Sequence, residues 1–263
     1  MSFKKDMFSV ISWNVNSIRA RWLLLEQLLK QEKPDVVLLQ ETKIEDKIFP
    51  EESLGDFGYN VCFYGQKSYN GVAILSRHPL ESIQRGFLGS SEEARYIEAE
   101  TQGIRIASLY APNGQDVGMP MYARKLDFYE QLRAHLSSTL SSCDVFVIGG
   151  DYNVAPTDED VYDPQKWEGH VPCTDAERAA FTALLADGFA DAFAVWPSLQ
   201  ASAPHFTWWD YRFRFFDPKK GLRIDHFLLS PCALEQSQGG EVLLAYRTLP
   251  RPSDHAPIRW MLR

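Results

Sequence analysis

Short apolar runs, rich in β-branched and aromatic residues, recur along the whole chain and are separated by polar loops. Most of these runs are near-continuous rather than strictly alternating, which is typical of strands buried on both faces. They predict seven strands, at residues 8–13, 36–40, 71–76, 104–110, 145–149, 224–229 and 258–262.

Three other segments place apolar residues at the helical period. Residues 18–32 carry leucines on one stripe and end before Pro34, and residues 122–140 form a second predicted helix. Residues 175–187 form a third, which follows a capping-box pattern that begins at Thr174. Because strands and helices mix without a strict βαβ repeat, the order favours sheets packed together with helices outside over a doubly wound sheet.

The 263 residues, 45% of them hydrophobic, contain no linker or low-complexity tract. This predicts one domain spanning residues 1–263 with a sizeable core. The cysteines lack zinc-type spacing, and we find neither a signal-peptide pattern nor an apolar run near the ~20 residues that a membrane span needs. We therefore expect a cytoplasmic protein, monomeric and without a membrane partner, with reduced thiols at Cys62, Cys143, Cys173 and Cys232.

The net charge is −8 and the isoelectric point is about 5.3. This balance argues against nucleic acid as a partner, because phosphate backbones attract basic surfaces. A cluster of metal-binding carboxylates, however, would make a site acidic until the ion binds. Several basic residues could also still line one face: Lys67, Arg77, Arg85, Arg95, Arg212, Arg214, Lys219, Lys220 and Arg223.

Acidic and amide residues cluster at the ends of the predicted strands. Oxygen ligands with an imidazole, raised on strand ends, are what a hard metal ion and a phosphate ester require. Each residue alone has an ordinary explanation, such as a solvated strand end or an Asx turn. Five such signatures together favour one metal site. The residues are Asn14 and Asn16, Glu41, Asp151 and Asn153, Asp225, and Asp254 with His255.

The spacing of these residues suggests roles for some of them. Asp151 and Asn153 are two positions apart in an extended chain, so both side chains can face one site. Asp151 could orient or deprotonate a water, while Asn153 hydrogen-bonds a phosphoryl oxygen. Tyr110 could donate a phenolic hydrogen bond to a substrate oxygen, although an ordinary tyrosine at a strand end has the same pattern.

Asp254 and His255 are adjacent and point in different directions, which disfavours a hydrogen bond between them. We expect Asp254 to face the metal and His255 to face the phosphate, with its imidazole oriented by Asp225. Asp225 could instead form a structural ion pair with Arg223. His226 points away from Asp225 and is expected to pack or to support its neighbours.

Seven segments, in order, form a pattern across nearly the whole chain: ISWNVNSIRA, LQETK, GVAILSR, YAPNG, GDYN, GLRID and SDHAP. This pattern resembles the endonuclease/exonuclease/phosphatase superfamily and, within it, the exonuclease III class of abasic-site (AP) endonucleases. The resemblance implies an α/β (α+β) fold, a four-layer αββα sandwich of two mixed β-sheets with outer helices. It also implies a phosphodiesterase that depends on Mg²⁺, for which Mn²⁺ can substitute.

The resemblance assigns roles residue by residue. Glu41 matches the principal metal ligand, and Asp151 matches the residue that activates water or handles the leaving group. The implied catalytic residues are Tyr110, Asp151, Asn153, Asp225 and His255, and the implied metal site comprises Asn14, Glu41, Asp151, Asn153, Asp254 and His255.

The implied partner is double-stranded DNA with abasic sites or 3′ blocking groups. The implied activities are cleavage 5′ to abasic sites, 3′–5′ exonuclease and 3′-phosphatase. Aromatic residues from position 208 onward resemble a loop that lines the pocket for an extruded abasic sugar, although aromatics also suit a core. The implied DNA-binding positions are Asn16, Gln66, Lys67, Asn113, Trp208 and Phe216.

Residues 160–172 form a loop that varies within the family. A bulky His170 near the abasic nucleotide could exclude internal abasic sites and leave 3′-end processing only. Two other functions fit parts of the pattern. A phosphatase of lipids, inositol phosphates or nucleotides is disfavoured by the aromatic loop, and a non-catalytic damage-binding protein is disfavoured by the intact polar set.

Overall fold

Two six-stranded β-sheets form the frame in a computed structural model of the chain, which describes residues 7–87, 93–140, 144–196, 205–212 and 216–263. The strands are β1 (Phe8–Asn14), β2 (Val36–Gln40), β3 (Asn60–Tyr64), β4 (Val72–Ser76), β5 (Glu81–Arg85), β6 (Tyr96–Thr101), β7 (Ile104–Tyr110), β8 (Phe146–Asp151), β9 (Ala190–Asp191), β10 (Asp225–Leu229), β11 (Ser237–Val242) and β12 (Ile258–Leu262). Their order is β11-β12-β1-β2-β4-β3 in the first sheet and β5-β6-β7-β8-β10-β9 in the second.

The helices lie between these strands in the chain. The α-helices are α1 (Trp22–Gln31), α2 (Glu51–Gly55), α3 (Pro120–Thr139), α4 (Pro164–Trp167), α5 (Asp175–Ala186), α6 (Ala192–Val195) and α7 (Pro231–Glu235). Short 3₁₀ helices span Asp46–Ile48, Asp158–Asp160 and Leu244–Arg247. Among the described residues, no helix is both long and apolar enough to cross a bilayer.

The central strands are buried on both faces, as their continuous apolar runs predict. Val36 and Leu38 of β2 point toward the second sheet, whereas Val37 and Leu39 pack with α1 on the outside. In the second sheet, Ile106 of β7 joins the core between the sheets, and the neighbouring residues pack against α3 and α5. The layers are therefore helix, sheet, sheet and helix, which confirms the expected αββα sandwich.

The two sheets share one pairing pattern. In the first, β1 runs parallel to β2 and lies antiparallel to β12 on its other side. In the second, β8 runs parallel to β7 and antiparallel to β10. Strands β1 and β8 therefore occupy equivalent places, and the similar WNVN and GDYN segments lie at their carboxyl ends.

All seven predicted strands are present, but β3, β5, β6, β9 and β11 were not predicted. The sequence of β5 gives no buried pattern because all its residues are exposed, and β11 contains two glycines. The first predicted helix begins at Trp22 rather than at residue 18. Asn16 and Ser17 have φ angles of 44° and 90°, so the chain turns before the helix can start.

Candidate active site

Strand register brings three predicted catalytic residues side by side. Tyr110 at the end of β7 lies opposite Asp151 at the end of β8, and Asp225 at the start of β10 lies opposite Asp151 on the other side. Gly150 allows this approach, because a Cβ atom there would lie 2.0 Å from the carbonyl oxygen of Leu109. Strands β1 and β2 bring Asn14 and Glu41 to the same edge from the first sheet.

A cavity of about 620 Å³ opens at this edge. Its lining combines polar groups with aromatic and aliphatic side chains, as expected for a site that binds an amphipathic ligand. Of the residues singled out in the sequence, those that line the cavity are Glu41, Tyr110, Asn113, Asp151, Asn153, His170, Trp208, Arg212, Asp254 and His255.

Two matching turns orient the polar side chains. The Oδ1 atom of Asn14 accepts a hydrogen bond from the backbone N–H of Asn16 at 3.0 Å, and Asp151 Oδ1 accepts one from the N–H of Asn153 at 2.9 Å. Asn16 and Asn153 have φ angles of 44° and 50°. Both are therefore Asx turns. Asp151 and Asn153 form such a turn and also line the cavity, so the structural and the functional interpretation of their spacing are both correct.

Glu41, Asp151 and His255 each offer a ligand atom, and these atoms lie within 4.8 Å of one another. Asn14 bridges the two carboxylates, since its Nδ2 donates to Glu41 Oε1 and Asp151 Oδ2, both at 2.9 Å. Lys43 lies 2.9 Å from the second oxygen of Glu41. Neutral and cationic donors thus hold two acidic groups close together.

The electrostatics of Asp151 favour a cation at this position. Burial raises its pKa to about 7; the His255 charge opposes this shift, while the charges of Asp225 and Glu41 add to it. Carboxylate oxygens are the donors that hard divalent ions such as Mg²⁺ and Mn²⁺ prefer. The donor set of Glu41 and Asp151 therefore fits such an ion, which would offset the mutual repulsion of these groups.

His255 forms the expected pair with Asp225. Its Nδ1 donates to Asp225 Oδ2 at 2.8 Å, and its Nε2 lies 3.7 Å from Asp151 Oδ2. Burial opposes the charged imidazole, but the charges of Asp225 and Asp151 raise the pKa of His255 to about 10. The alternative ion pair of Asp225 with Arg223 is wrong, because Arg223 binds carboxylates elsewhere.

Arg223 lies on the other face of the chain, where its Nε and Nη1 donate to Asp160 and Asp191 at 2.6 and 2.7 Å. Its Nη1 also lies 3.0 Å from Nδ1 of fully buried His226. This confirms that His226 packs behind the site.

Asp254 lines the cavity but lies outside the cluster of three. Its Oδ1 accepts from Asn16 Nδ2 at 3.0 Å and its Oδ2 from Trp208 Nε1 at 3.2 Å. Burial alone would raise the pKa of Asp254, but the charge of His255 and these hydrogen bonds lower it. Its role as a metal ligand stays a prediction, as does that of Asn14, which turns its amide nitrogen toward the carboxylates.

Two neutral donors border the same cavity. Burial, with the charges of Glu41 and Asp151, raises the pKa of Tyr110 well above its usual range, so the phenol keeps its proton. Asn153 donates from Nδ2 to the carbonyl oxygen of Ala111 at 2.9 Å, and its Oδ1 accepts from Asn113 Nδ2 at 3.2 Å. These contacts orient the Asn153 amide, which keeps a second N–H for another acceptor.

The apolar side of the cavity includes two indole rings, those of Trp167 and Trp208. His170 also lines the cavity, with its Nδ1 2.9 Å from the carbonyl oxygen of Glu168. Phe216 lies elsewhere: it packs edge-on against Trp209, with Arg247 over its ring at 4.9 Å. Its contact with DNA stays a prediction, whereas Trp208 has the position expected of a pocket wall.

The remaining DNA-binding candidates differ in the contacts that their side chains make within the protein. Gln66 shapes its own loop by accepting hydrogen bonds from Asn70 Nδ2 and from the N–H of Ala94 at 3.0 and 2.7 Å. Lys67 is exposed, and Asn16 is engaged with Asp254 and Lys43. The roles of these three residues in DNA binding stay predictions.

The nine basic residues that could have lined one face do not all do so. Arg95 and Arg223 are buried in internal ion pairs, and Arg77 follows β4 at the end away from the cavity. Arg212 does line the cavity, together with Lys166, which we had not singled out. Arg214 lies outside the described residues.

The sequence reasoning also missed two supporting residues. Lys43 contacts both Glu41 and Asn16, and Ser253 Oγ donates to the carbonyl oxygen of Asn14 at 2.7 Å. Both lie within two residues of a singled-out acid, which is the signal that could have found them. Among the cysteines, Cys62 and Cys173 are buried free thiols, and burial raises the pKa of each to about 12; Cys143 lies outside the described residues.

Comparison with known proteins agrees with this geometry. Residues 11–255 match the Endonuclease/Exonuclease/phosphatase family. The chain is 34% identical to exodeoxyribonuclease III of Haemophilus influenzae, over 94% of this chain and 97% of that protein.

Two solved structures are also similar, each with a TM-score of 0.92 over 97% of this chain and 99% of the other. One is a 3′ phosphatase from Neisseria bound to a product DNA hairpin, at 35% identity. The other is an AP endonuclease from Archaeoglobus fulgidus, at 33% identity. The chain therefore belongs to the endonuclease/exonuclease/phosphatase family and, within it, to the exonuclease III class.

Proposed function

We propose that this protein is a Mg²⁺-dependent DNA-repair phosphodiesterase that cleaves 5′ to abasic sites and removes nucleotides or blocking groups from 3′ ends. The observation that carries the proposal is the cluster of Glu41, Asp151 and His255, whose ligand atoms lie within 4.8 Å of one another in a cavity that Trp208 also lines. A similar protein bound to a DNA hairpin, and relatives named as exonuclease and AP endonuclease, support DNA as the substrate.

One reaction accounts for all three activities, because each breaks a bond between phosphorus and a 3′ oxygen. Water attacks phosphorus in line with that bond, which leaves a 3′ hydroxyl group. Asp151 orients the water and accepts its proton as a general base. Mg²⁺ bound at oxygens of Glu41 and Asp151 would neutralise charge on the phosphate and on the departing oxygen.

Three donors stabilise the negative charge that grows on the phosphoryl oxygens. His255 is kept charged by its carboxylate neighbours, Tyr110 keeps its phenolic proton, and Asn153 has an N–H that Ala111 does not use. All three line the cavity, so their hydrogen bonds would be made within a partly dehydrated space. In this proposal the apolar sugar of an abasic nucleotide lies against Trp208.

The test uses two labelled duplexes, one with an internal tetrahydrofuran abasic analogue and one with a 3′-phosphate at a nick. We expect cleavage of both in Mg²⁺, activity with Mn²⁺ as a substitute, and none in EDTA. Cleavage of neither duplex would contradict the proposal. Inositol phosphate or nucleotide hydrolysis that abasic DNA does not inhibit would favour a small-molecule phosphatase instead.

A second candidate function is 3′-end processing alone, which the presence of His170 at the cavity favours. In that case His170→Gly should increase incision at the internal analogue relative to removal of the 3′-phosphate. Gln165→Ala is the matched control, because Gln165 is exposed in the same loop and does not line the cavity. An unchanged ratio of the two rates in His170→Gly would remove this role from His170.

We also propose that the protein acts as a cytoplasmic monomer with one domain. Both sheets contribute to one core, and a single chain supplies the cluster and the cavity wall. Light scattering coupled to gel filtration tests the monomeric state, and a dimer mass at the concentration used for activity would contradict it.

A further inference from the structure

The segment that follows β8 carries Asn153 but continues no sheet in the described chain. Its four consecutive carbonyl oxygens, from Tyr152 to Ala155, each accept a hydrogen bond from a side chain instead. The donors are Tyr129 Oη at 2.5 Å, Lys125 Nζ at 2.5 Å, His226 Nε2 at 3.0 Å and Arg178 Nε at 3.1 Å, in chain order of the carbonyls. Side chains therefore take the place of a neighbouring strand.

Two of these donors, Lys125 and Tyr129, lie one turn apart on the inner face of α3. Lys125 has no exposed surface, and its ammonium group also lies 3.3 Å from the carbonyl oxygen of Asn113. It thus touches both chain segments whose side chains hydrogen-bond each other at the cavity, Asn113 and Asn153.

The carboxylate that balances this charge is itself held in place. Lys125 pairs with Glu177, which also has no exposed surface. Glu177 is the third residue of α5 and closes the capping box that begins at Thr174, where its Oε2 accepts from the N–H and the hydroxyl group of Thr174. The ammonium group therefore donates to the backbone carbonyls of Asn113 and Asn153, and its counter-ion accepts from the backbone N–H of Thr174 at the start of α5.

Stability alone is a weak reason for such a pair. Removing two charges from water costs several kcal/mol per ion, and an apolar pair of similar volume often stabilises a fold as well or better. What an apolar pair cannot supply is a donor to the carbonyl oxygen of Asn153. Asn153 has a φ of 50°, in the left-handed region that asparagine tolerates better than most residues, and in that conformation its carbonyl oxygen accepts from Lys125 Nζ.

We propose that Lys125 and Tyr129 are positioning residues, which hold the backbone of Tyr152 and Asn153 so that the Asn153 amide faces the scissile phosphate. The inference rests on the proposed function, because it assigns Asn153 to the phosphate. Neither α3 residue touches the substrate. Their loss should therefore reduce kcat and leave KM nearly unchanged.

The main variant is Lys125→Met/Glu177→Gln, which removes both charges together and keeps an oxygen for the capping box at Thr174. We expect it to fold and to lose about 10- to 100-fold in kcat on the abasic duplex, since misplacement of a catalytic group by about 1 Å has effects of this size. Glu177→Gln alone keeps the Lys125 donor and should keep kcat within about threefold of wild type.

Two further variants separate positioning from general stability. Tyr129→Phe removes only the hydroxyl group and should lower kcat by about 3- to 10-fold without loss of folding. Arg105→Met/Glu98→Gln removes another largely buried ion pair, whose partners contact His135 and Thr139 near the end of α3, and should leave kcat unchanged. A kcat within twofold of wild type in Tyr129→Phe, or in a folded Lys125→Met/Glu177→Gln, overturns the proposal.

Hydrogen exchange supplies a readout that does not depend on activity. The amides of residues 152–155 should exchange faster in Tyr129→Phe and in the charge-removed variant than in wild type, while the β1 amides stay unchanged. Unchanged exchange at residues 152–155 overturns the positioning role. Absence of DNA cleavage by the wild type would instead refute the proposed function, and the exchange result would remain readable.

Discussion

The carboxyl ends of β1 and β8 have the same backbone turn but carry different polar side chains. At both ends, an Asn or Asp side chain accepts a hydrogen bond from the backbone N–H of an asparagine two residues later, and that asparagine has a positive φ. The pairs are Asn14–Asn16 and Asp151–Asn153. The β1 end carries a neutral amide where the β8 end carries an acid. Equivalent backbone can thus present a hydrogen-bond donor from one sheet and a base from the other.

The difference makes the two ends complementary. The amide group of Asn14 donates to both Glu41 and Asp151, so the neutral end holds two acids near each other. Two carboxylates there in addition to Glu41 would repel one another more strongly. We therefore expect exchanges between the ends to be costly in both directions.

Asp151→Asn makes the β8 end like the β1 end and should have the largest effect. We expect kcat to fall by about 10²- to 10⁴-fold through loss of the base, with DNA affinity near that of wild type. Single-turnover cleavage and fluorescence anisotropy measure the two quantities. Retained turnover would show that another group activates the water.

The two left-handed asparagines provide a matched pair. Glycine tolerates a positive φ, so Asn153→Gly and Asn16→Gly remove each side chain without backbone strain. We expect kcat to fall by about 10²-fold for Asn153→Gly, through loss of a donor to the phosphate, and only a few-fold for Asn16→Gly. Equal losses in steady-state assays would mean that the two ends contribute alike.

Asn14→Asp tests the opposite exchange. It replaces the bridging donor by a third acid, and we expect kcat to fall about tenfold and the free energy of unfolding to fall by about 1–3 kcal/mol. Urea denaturation in EDTA gives the stability, and Asn60→Asp, at a solvent-exposed position in the first sheet, is the control. If Asn14→Asp changed neither kcat nor the free energy of unfolding, the bridging role assigned to Asn14 would be wrong.

The smallest expected effect is on the pH dependence of stability. Asp151 has a pKa of about 7 in the folded protein and an ordinary value of 3.8, so its ionisation destabilises the fold. The cost is absent below pH 4, grows between pH 4 and 7, and is complete above pH 7. It corresponds to about 1.4 kcal/mol per pKa unit, and the pKa of about 7 already includes the opposing charge of His255.

Asp151→Asn removes that cost and should unfold at a higher temperature than wild type at pH 7.5 in EDTA. The difference should shrink as the pH falls toward 4, and also when Mg²⁺ stabilises the wild type. Calorimetry at several pH values measures it. A variant that is less stable than wild type at every pH would contradict the origin assigned to the pKa shift.

The predictable parts of the site are those that depend on local order along the chain. Glu41, Asp151 and Asp225 end or begin strands whose apolar runs are visible in the sequence, so their placement at a sheet edge could be inferred. The pairing of Asp225 with His255, 30 residues apart, could be proposed but not distinguished from a pair with Arg223. The choice between these two partners of Asp225 is decided only by the antiparallel pairing of β10 with β8, which places Asp225 opposite Asp151.

Other features could not be read from the chain. Phe216 and Trp208 lie in one aromatic stretch of the sequence, yet Trp208 lines the cavity and Phe216 packs behind it on Trp209. Lys125 lies within the predicted helix at residues 122–140, and its burial against Glu177 depends on how α3 and α5 meet. Charge alone was also a poor guide to a basic face, since Arg95 and Arg223 are buried.

The amino-acid order specified the sandwich, the buried central strands and the set of residues available for chemistry, because hydrophobic period and strand-end position are local properties. Tertiary packing decided which acid meets which base and which carbonyl oxygens of residues 152–155 receive a donor. These contacts join residues far apart in the chain, and their pKa values depend on burial and on neighbouring charges that exist only once both sheets are packed together.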